Sequence, residues 1–443
     1  MKRLSGFLFI SMWIVCLPSF VFAQESNTLQ QLIDETPEAG ILRLDNITYD
    51  GNVLIDKPMT IIGKENTIIR GDGTGNVIQI ESDQVVLDGL QVKHSGMSRS
   101  SKEEYSGVRV MANQVTLKNL IISDSFHGIY LNKTKDITIE NNHITGHGAA
   151  SLGNQGNGIH IVRSGDNIIE KNTIEQTRDG IFVEYSNNNE IKNNMISGTR
   201  YGLHYMYSNN NYFEANQFTR NVGGAAIMHS DHILLEGNSF SYNQGSRSFG
   251  LIIQASRDIE VKHNDFHLNQ RGLYLEQSTN NRIEGNDFFR NQIGIELWTS
   301  STAHVFVKNK FHRNNSDVLT VGGESINEWY ENGVGNYWNK PMLDLNQDGI
   351  GDAPLEYTSS LNELIEENEL AYLFLNSPAI QIYEKANELF SNQKVMAIDK
   401  YPMVTGKSRI PIGWLISIFI GVLAVLYFYK RGRCSCRIFG RKA

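Results

Sequence analysis

A histidine and two methionines stand at matching positions of two consecutive repeats in this chain. The runs Gly-Leu-His-Tyr-Met and Gly-Ala-Ala-Ile-Met place His204 and Met206 in one repeat and Met228 in the next. Imidazole and thioether groups are ligands for soft or borderline metal ions, and Cu(I) above all. Methionine is also an adaptable residue at protein-contact surfaces. The pattern therefore predicts either a Cu(I) site or a methionine-containing contact surface.

These two runs belong to a ladder that repeats about every 22 residues. Nine glycine-led runs of alternating apolar residues begin at Gly107, Gly128, Gly158, Gly180, Gly202, Gly224, Gly250, Gly272 and Gly294. A parallel ladder consists of Asn142, Asn172, Asn194, Asn216, Asn238, Asn264 and Asn286. Short strands separated by Asn- and Gly-rich turns, without sustained helical periodicity, predict an all-β, right-handed parallel β-helix. We expect the asparagines to form a hydrogen-bonded ladder inside a turn.

Strand alternation and the repeat together predict which side chains are neighbours on the surface. The residue after each glycine points inward and the next points outward, and consecutive coils stack at about 4.8 Å. One outward column then contains Glu184, Met206 and Met228, and the adjacent one contains His160, Phe182, His204 and Ala226. His204, Met206 and Met228, with Glu184 and His160 beside them, therefore form either a copper site or a protein-contact surface. The histidines His127, His143, His147 and His229 lie near the same flank, and lone histidines of this kind are more often solvated turn residues.

A second candidate metal site lies in the segment Asp-Leu-Asn-Gln-Asp-Gly-Ile-Gly-Asp. The oxygen donors Asp344, Asn346, Asp348, the Ile350 carbonyl and Asp352 have the spacing of a calcium loop, with Gly349 at the sharp turn. Leu355 occupies the position where a closing glutamate is expected, and Glu356 follows one residue later. The segment therefore predicts either structural Ca²⁺ or a turn held by its own hydrogen bonds.

A third group of residues allows a different function. Glu276 and Glu296 are predicted to face outward on adjacent coils, with the aromatic residues Tyr274 and Trp298 beside them. Parallel β-helices commonly carry polysaccharide lyases, hydrolases and epimerases, which need acidic residues in a groove. A carbohydrate-active enzyme that cleaves an acidic polysaccharide is therefore the alternative to metal binding, although a solvated acidic face explains the same residues.

The ends of the chain indicate export and membrane attachment. The predicted units are a signal peptide at 1–23, an N-terminal cap at 24–40, the β-helix at 41–340, an Asp-rich loop at 341–360, a helical docking segment at 361–405, a transmembrane helix at 410–429 and a basic cytoplasmic tail at 430–443. Among 443 residues the net charge is −8, and the repeats carry no basic stripe, so a nucleic-acid partner is excluded. Cys434 and Cys436 lie in the tail, where they suit a soft metal or a lipid; with Cys16 in the signal peptide, the exported body contains no cysteine.

Six motifs follow one another along the chain: LIDKPMTIIG, VLDGLQVKHSG, GLHYMYS, AAIMHS, GNYWNKPMLDLNQDGIGDAPLEY and SPAIQIYEKANELF. In order and spacing they resemble the NosD family, periplasmic copper-associated maturation factors of nitrous oxide reductase. The resemblance implies a non-enzymatic β-helix that docks on the membrane and ATPase subunits of an ABC transporter, works with a copper chaperone, and supports assembly of the copper centres of nitrous oxide reductase. It also implies transient Cu(I), or another cargo such as a sulfur species, handled at the face that carries His204, Met206 and Met228. The predicted inner-membrane anchor departs from the soluble periplasmic form expected of many members.

Overall fold

Three long parallel sheets build the body of the protein. The structure, a computed structural model, describes residues 28–97, 104–148, 151–323, 326–375, 377–390 and 393–404. Each sheet contains 12 strands, and each strand pairs with the strands three places before and after it. Every coil thus contributes one strand to each sheet, which is the architecture of a parallel β-helix. The predicted β-helix is confirmed, and the predicted signal peptide, transmembrane helix and basic tail lie outside the described residues.

The strands are short, because a turn follows almost every one. The first sheet contains β1 (Gly40–Arg43), β4 (Met59–Ile62), β7 (Val86–Asp88), β10 (Thr116–Lys118), β13 (Thr138–Glu140), β16 (Ile168–Glu170), β19 (Glu190–Lys192), β22 (Tyr212–Glu214), β25 (Asp231–Glu236), β28 (Arg257–Lys262), β31 (Arg282–Glu284) and β34 (Val305–Val307). The second sheet contains β2 (Thr48–Asp50), β5 (Ile68–Arg70), β8 (Gln91–Lys93), β11 (Ile121–Ser123), β14 (His143–Thr145), β17 (Thr173–Glu175), β20 (Met195–Ser197), β23 (Gln217–Thr219), β26 (Ser239–Ser241), β29 (Asp265–His267), β32 (Asp287–Phe289) and β35 (Lys310–His312). The third sheet contains β3 (Val53–Ile55), β6 (Ile78–Ile80), β9 (Ser106–Val110), β12 (His127–Asn132), β15 (Ile159–Val162), β18 (Asp179–Glu184), β21 (Tyr201–Met206), β24 (Gly223–Met228), β27 (Phe249–Gln254), β30 (Arg271–Glu276), β33 (Ile293–Trp298) and β36 (Ser316–Val321).

The interior is a set of stacked apolar columns. In one of them the rings of Phe218, Phe240, Phe266, Phe288 and Phe311 lie with consecutive centroids 4.7 to 5.2 Å apart. Offset stacking of this kind contributes beyond simple burial. Repetition of phenylalanine from coil to coil therefore keeps these five coils in register.

A glycine stands next to the first residue of the strands in the central part of the third sheet, because there is no room for a side chain. A Cβ atom on Gly202 would lie 2.6 Å from the carbonyl oxygen of Gly224 in the next coil and 2.7 Å from the Phe218 ring. Such a contact is shorter than real Cβ atoms tolerate. The glycine ladder thus marks the position where neighbouring coils approach most closely.

The asparagine ladder is hydrogen-bonded as predicted. The backbone N–H and the side-chain Nδ2 of Asn194 both donate to Oδ1 of Asn216, at 3.0 and 2.9 Å. Asn216 Nδ2 in turn donates to the Ile191 carbonyl at 2.7 Å. The positive φ of the turn falls on the preceding residue, such as Asn193 at 53° or Ala215 at 53°, and not on the ladder asparagine itself. Each ladder asparagine therefore satisfies buried backbone groups of two coils.

Both ends of the β-helix are covered. A helix, α1 (Leu29–Glu35), buries Leu29 and Ile33 at the N-terminal end, as expected for a cap. At the other end lie β37 (Leu355–Ser359), α2 (Leu361–Glu367), a 3-10 helix at Glu369–Phe374, α3 (Pro378–Leu389) and β38 (Lys394–Asp399).

The C-terminal segment is only partly helical, which corrects the prediction for 361–405. Strand β38 pairs antiparallel with β37, so residues 394–399 are extended. Met396 is buried, and its sulfur contacts the Thr320 hydroxyl in the last coil. The extended conformation is favoured because it lets this segment cover the apolar end of the solenoid. A helix that projected into solvent would leave that end exposed. Within the described ranges, no helix is long and apolar enough to cross a membrane.

We predict that Asn216→Ala lowers the free energy of unfolding by about 2–4 kcal/mol, because it leaves two buried donors of Asn194 and the Ile191 carbonyl without this partner. Chemical denaturation followed by circular dichroism measures the change. The matched control is Gln217→Ala, which removes an exposed amide from the neighbouring position. Equal stabilities of the two variants would contradict a supporting role for the ladder.

Candidate metal-binding face

The outward columns of the third sheet have the predicted register. Phe182 pairs with His204, and Glu184 pairs with Met206. In the next coil Met206 pairs with Met228. The two methionines are therefore direct neighbours across β21 and β24, and His204 precedes Met206 by two residues on the same face of β21. We call the surface formed by His204, Met206 and Met228 the His-Met face.

This face is less exposed than the alternation predicts. Only 8% of His204 is exposed, and Met206 and Met228 are half-buried. The histidine is covered because the ring of Phe182 stacks on it with centroids 4.5 Å apart. Met228 packs against the apolar cluster of Ala226, Phe249 and Ile252.

Two charged residues at the start of their coils orient His204. Its Nδ1 lies 3.0 Å from Oδ2 of Asp179, and Arg200 donates to both oxygens of the same carboxylate. Burial by itself would raise the pKa of Asp179, but hydrogen bonds from His204 and Arg200 outweigh it and hold this pKa below its usual value. An ionised carboxylate only accepts, so Nδ1 of His204 carries the proton.

With the proton on Nδ1, the free lone pair of the His204 ring is on Nε2. This nitrogen has no hydrogen-bond partner among the described residues, whereas Nδ1 is fixed by Asp179. A carboxylate that holds one imidazole nitrogen while the other binds a metal is the usual arrangement of histidine ligands. The ring of His204 is therefore fixed through Nδ1, an arrangement that suits a metal ligand.

The structure does not bring His160 to this set. His160 and His204 lie in the same column, but Phe182 stands between them, with its ring 4.8 Å from one and 4.5 Å from the other. One ion cannot contact both histidines across an intervening ring. Glu184 does neighbour Met206, although Cu(I) prefers thioether and imidazole ligands to carboxylate oxygen. The geometry thus narrows the predicted copper set to His204, Met206 and Met228.

His160 belongs instead to a small polar cluster in the preceding coils. One ligand atom each of Glu104, His127 and His160 lies within 4.8 Å of the others. His127 Nε2 is 2.7 Å from Glu104, and its Nδ1 accepts the Asn157 backbone N–H at 2.9 Å. Because Nδ1 accepts, the proton of the neutral ring must be on Nε2, where a metal would need a lone pair. Hydrogen bonding therefore makes His127 a poor metal ligand in this arrangement.

The predicted calcium loop is folded around its own hydrogen bonds. Asp344 Oδ2 accepts from the Gly349 N–H at 3.1 Å, and Asp348 Oδ1 accepts from the Ile350 N–H at 2.8 Å. Asp352 Oδ2 accepts from the Leu345 N–H at 2.9 Å. The buried Oδ1 of Asp344, however, has no partner among the described residues. An orphaned carboxylate oxygen fits a cation, so calcium binding by Asp344, Asn346, Asp348, Ile350 and Asp352 stays a prediction.

The acidic residues of the carbohydrate hypothesis lie in different environments. Glu276 accepts hydrogen bonds from Gln254 at 2.8 Å and from the Tyr274 hydroxyl at 3.2 Å. Glu296 is completely buried, 3.6 Å from Arg271. The expectation that Glu296 faces solvent is therefore wrong, because α2 and the 3-10 helix pack over this end of the third sheet.

Sequence reasoning missed Asp179 and Arg200. Each is a charged residue at the start of a coil, directly before Gly180 or two residues before Gly202. A charged residue at the start of a buried strand needs a partner, so this position could have indicated a buried ion pair. The partners lie about one repeat apart in sequence, and only side-chain geometry reveals that they meet at His204.

Comparison with known proteins supports the family resemblance. A family model described as NosD, periplasmic copper-binding protein, matches residues 147–343, and one described as right handed beta helix region matches residues 51–240. A protein of Pseudomonas aeruginosa named probable ABC transporter binding protein NosD is 26% identical over 131 residues, which cover 30% of this chain and 31% of that protein. The chain thus matches about a third of the relative's length. The resemblance to the NosD family is confirmed, and the second match agrees with a right-handed solenoid.

Solved structures share the fold. The A-module of the mannuronan C-5 epimerase AlgE6 of Azotobacter vinelandii has a TM-score of 0.56 at 11% identity, covering 69% of this chain and 92% of that one. The catalytic unit of an α-1,3-glucanase of Streptomyces thermodiastaticus has a TM-score of 0.58 at 13% identity, covering 72% and 67%. At such low identity the likeness describes the β-helix alone.

We predict that acid weakens the fold through His160. Burial, and then the neighbouring His127, lower the pKa of His160 from 6.5 to about 3. The unfolded chain therefore takes up a proton below about pH 6.5 that the folded chain refuses, so stability falls by roughly 1.4 kcal/mol per pH unit from this group as the pH decreases toward 3. His160→Phe removes this contribution while continuing the aromatic column, and urea unfolding at pH 7 and pH 5 measures the slope.

The matched control for this test is His143→Phe, on an exposed position of β14. Its slope is expected to equal that of the unaltered protein. His304, whose pKa burial lowers to about 4, titrates in the same direction and leaves a residual slope in every variant. An unchanged slope in His160→Phe would show that His160 is protonated or solvated in the folded state.

Proposed function

With residues 147–343 belonging to the NosD family, we propose that this chain is an exported, non-enzymatic accessory protein that receives Cu(I) at the His-Met face. It works with an ABC transporter to deliver this cargo for assembly of the copper centres of nitrous oxide reductase. The observation that carries the proposal is the orientation of His204, whose Nδ1 is held by Asp179 beside the paired thioethers of Met206 and Met228.

The donor set suits transient binding of a soft ion. Two thioethers and an imidazole add no negative charge to the bound ion. The two half-buried methionines keep part of the coordination sphere accessible to a second protein, whereas only 8% of His204 is exposed. A copper chaperone could therefore exchange ligands with this face without first opening the fold.

Location follows from the predicted ends of the chain. A signal peptide at 1–23 and a helix at 410–429 followed by basic residues fit a periplasmic body anchored in the inner membrane. The last described strand ends at Asp399, about ten residues before this predicted helix. The C-terminal cap would thus lie near the membrane, where the transporter subunits are.

We predict that replacing His204, Met206 and Met228 by alanine lowers the Cu(I) affinity of the purified protein by at least about tenfold, because all three proposed ligands are lost. Competition with a chromophoric Cu(I) chelator measures it. Asp179→Asn, which removes the charged partner of Nδ1, is expected to weaken binding by about 10–100-fold.

The control for the copper measurement is Met195→Leu, an exposed methionine on β20 of the second sheet. Its affinity should equal that of the unaltered protein. If the triple variant binds Cu(I) as tightly as this control, the His-Met face is a protein-contact surface and not a copper site.

Transporter docking is expected on α3 of the C-terminal cap. Ile382 and Leu389 lie seven residues apart, on one side of this helix, and are 69% and 81% exposed; Phe390 follows at 82%. We predict that Ile382→Glu combined with Leu389→Glu reduces co-purification with the transporter by about tenfold or more, since each apolar anchor at an interface contributes above about 1 kcal/mol. Quantitative co-purification from solubilised membranes measures the loss.

Ile41→Glu is the matched control, because Ile41 is 58% exposed on β1 at the opposite end. Deletion of 361–404 is a poorer experiment, since Leu361, Ile365 and Met396 are buried and their loss would open the core. Co-purification that survives the charged pair on α3 would assign docking to another surface.

The alternative function is a carbohydrate-active enzyme. Its acidic residues, Glu276 and Glu296, belong to different outward columns, and the second has no contact with solvent. The paired, accessible carboxylates that glycoside hydrolysis needs are therefore not formed by these two residues. The metal-delivery function is accordingly preferred.

A further inference from the structure

A row of exposed rings lies beside the His-Met face, in the turn that follows the strands of the third sheet. Tyr185, Tyr207 and His229 occupy equivalent positions of three consecutive coils, with φ values of 50°, 51° and 50°. The rings of Tyr185 and Tyr207 lie 5.0 Å apart with an interplanar angle of 8°. Those of Tyr207 and His229 lie 5.0 Å apart with an angle of 12°. We call these three stacked rings the surface ladder.

The surface ladder stops at His229, although the backbone continues unchanged. Ala255 and Gln277 follow at the equivalent positions of the next two coils, with φ values of 49° and 50°. The backbone N–H of His229 donates to the Gln254 carbonyl, and that of Ala255 donates to the Glu276 carbonyl, so the pairing of the coils also continues. Only the side chain differs, because alanine has no ring that could stack on His229.

A slot is open where the next ring of the surface ladder would stand. Its volume is about 490 Å³, and its lining includes His229, Ala255 and Gln277. Ala255 belongs to the middle coil and forms the floor, whereas His229 and Gln277, which are both exposed, stand on either side. Two strand spacings, about 9.6 Å, separate these two side walls. A ring at the 5.0 Å spacing of the ladder would therefore stand midway between them.

The lining of the slot favours a flat, uncharged group. Arg257 Nε donates to Oδ2 of Asp231 at 3.0 Å, so the two charged side chains at the edge of the slot neutralise each other. His229 offers one face of its ring, since Tyr207 stacks on the other. Aromatic rings attract at centroid separations of about 4.5–7 Å. An aromatic ring therefore matches both the width of the slot and the chemistry of its wall.

The openness of the slot indicates a side chain of another protein rather than a free small molecule. Sites for small molecules enclose most of the ligand surface, whereas His229, Arg257 and Gln277 are themselves exposed. A side chain that extends from a larger contact surface needs only such a partial socket. Tryptophan and tyrosine are enriched among the residues that anchor protein interfaces.

We propose that this slot receives a tryptophan or tyrosine side chain of a protein that binds along the third sheet beside the His-Met face. The guest ring stacks on His229 and extends the surface ladder by one ring, over Ala255. Its position suits a protein that also contacts the methionines, because Met228 directly precedes His229. Binding at the slot does not require copper, so its failure would leave the copper proposal unaffected.

The test is nuclear magnetic resonance of the purified full-length protein with ¹³C-labelled histidine. The probes are pentapeptides that carry tryptophan, leucine or arginine between two pairs of glycines. The tryptophan peptide is expected to shift the His229 Cε1–H resonance saturably, through the ring current of the guest, and the other two peptides are not. Loss of one resonance in His229→Gln assigns the signal. Ala255→Tyr supplies the missing ring from the chain itself and should abolish the shift that the peptide causes.

The matched control is Ala215→Tyr, which places the same side chain on an exposed alanine with φ 53° in the turn after β22 of the first sheet. It should respond to the tryptophan peptide as the unaltered protein does. Ala255→Tyr suits the fold, since Tyr185 and Tyr207 adopt the same backbone conformation; if it nevertheless does not fold, Gln277→Ala, which removes the far wall, should reduce the shift. No shift with the tryptophan peptide, an equal shift with the leucine or arginine peptide, or an undiminished shift in the folded slot variant would each overturn the proposal.

Discussion

Everything in this protein depends on the close lateral contact of successive coils. Parallel pairing holds neighbouring strands of each sheet about 4.8 Å apart. The glycine ladder allows this approach where a side chain on Gly202 would collide with the Gly224 carbonyl. In each turn a buried asparagine accepts hydrogen bonds from the asparagine of the preceding coil, as Asn216 does from Asn194. A shift of one residue would turn every inward side chain outward. The repeat therefore determines both the stability of the solenoid and the position of each surface residue.

The candidate metal-binding face differs from its surroundings through departures from the repeat. Most outward positions of the third sheet carry residues that only cover the strands. His204 differs because Asp179 and Arg200, from coil starts, meet its ring and fix its tautomer. In His127, by contrast, Nδ1 accepts a hydrogen bond from the backbone N–H of Asn157, so this nitrogen does not carry the proton. Two histidines on one sheet thus differ in their hydrogen bonds: both ring nitrogens of His127 have partners, whereas Nδ1 of His204 is held by Asp179.

The C-terminal cap has a second consequence besides closing the solenoid. By lying over β30 and β33 it removes Glu296 from water and pairs it with Arg271, whereas Glu276 on the neighbouring coil keeps polar partners at the surface. The cap also turns a flat sheet into a cavity walled by Tyr372 and Trp298. The His-Met face adjoins this cavity, because Met228 packs against the cluster of Ala226, Phe249 and Ile252, and the last two of these residues also line the cavity.

The amino-acid sequence by itself determined the coil length, the strand faces and the pairing of Met206 with Met228, because a period of two along each strand and a repeat near 22 residues leave one consistent register. It also indicated the cap helix α1 and the asparagine ladder. Burial of His204, the role of Asp179 and the extended conformation of 394–399 were decided only by the tertiary structure. Those features depend on side chains and segments distant in sequence, and a local pattern contains no information on which of them will meet.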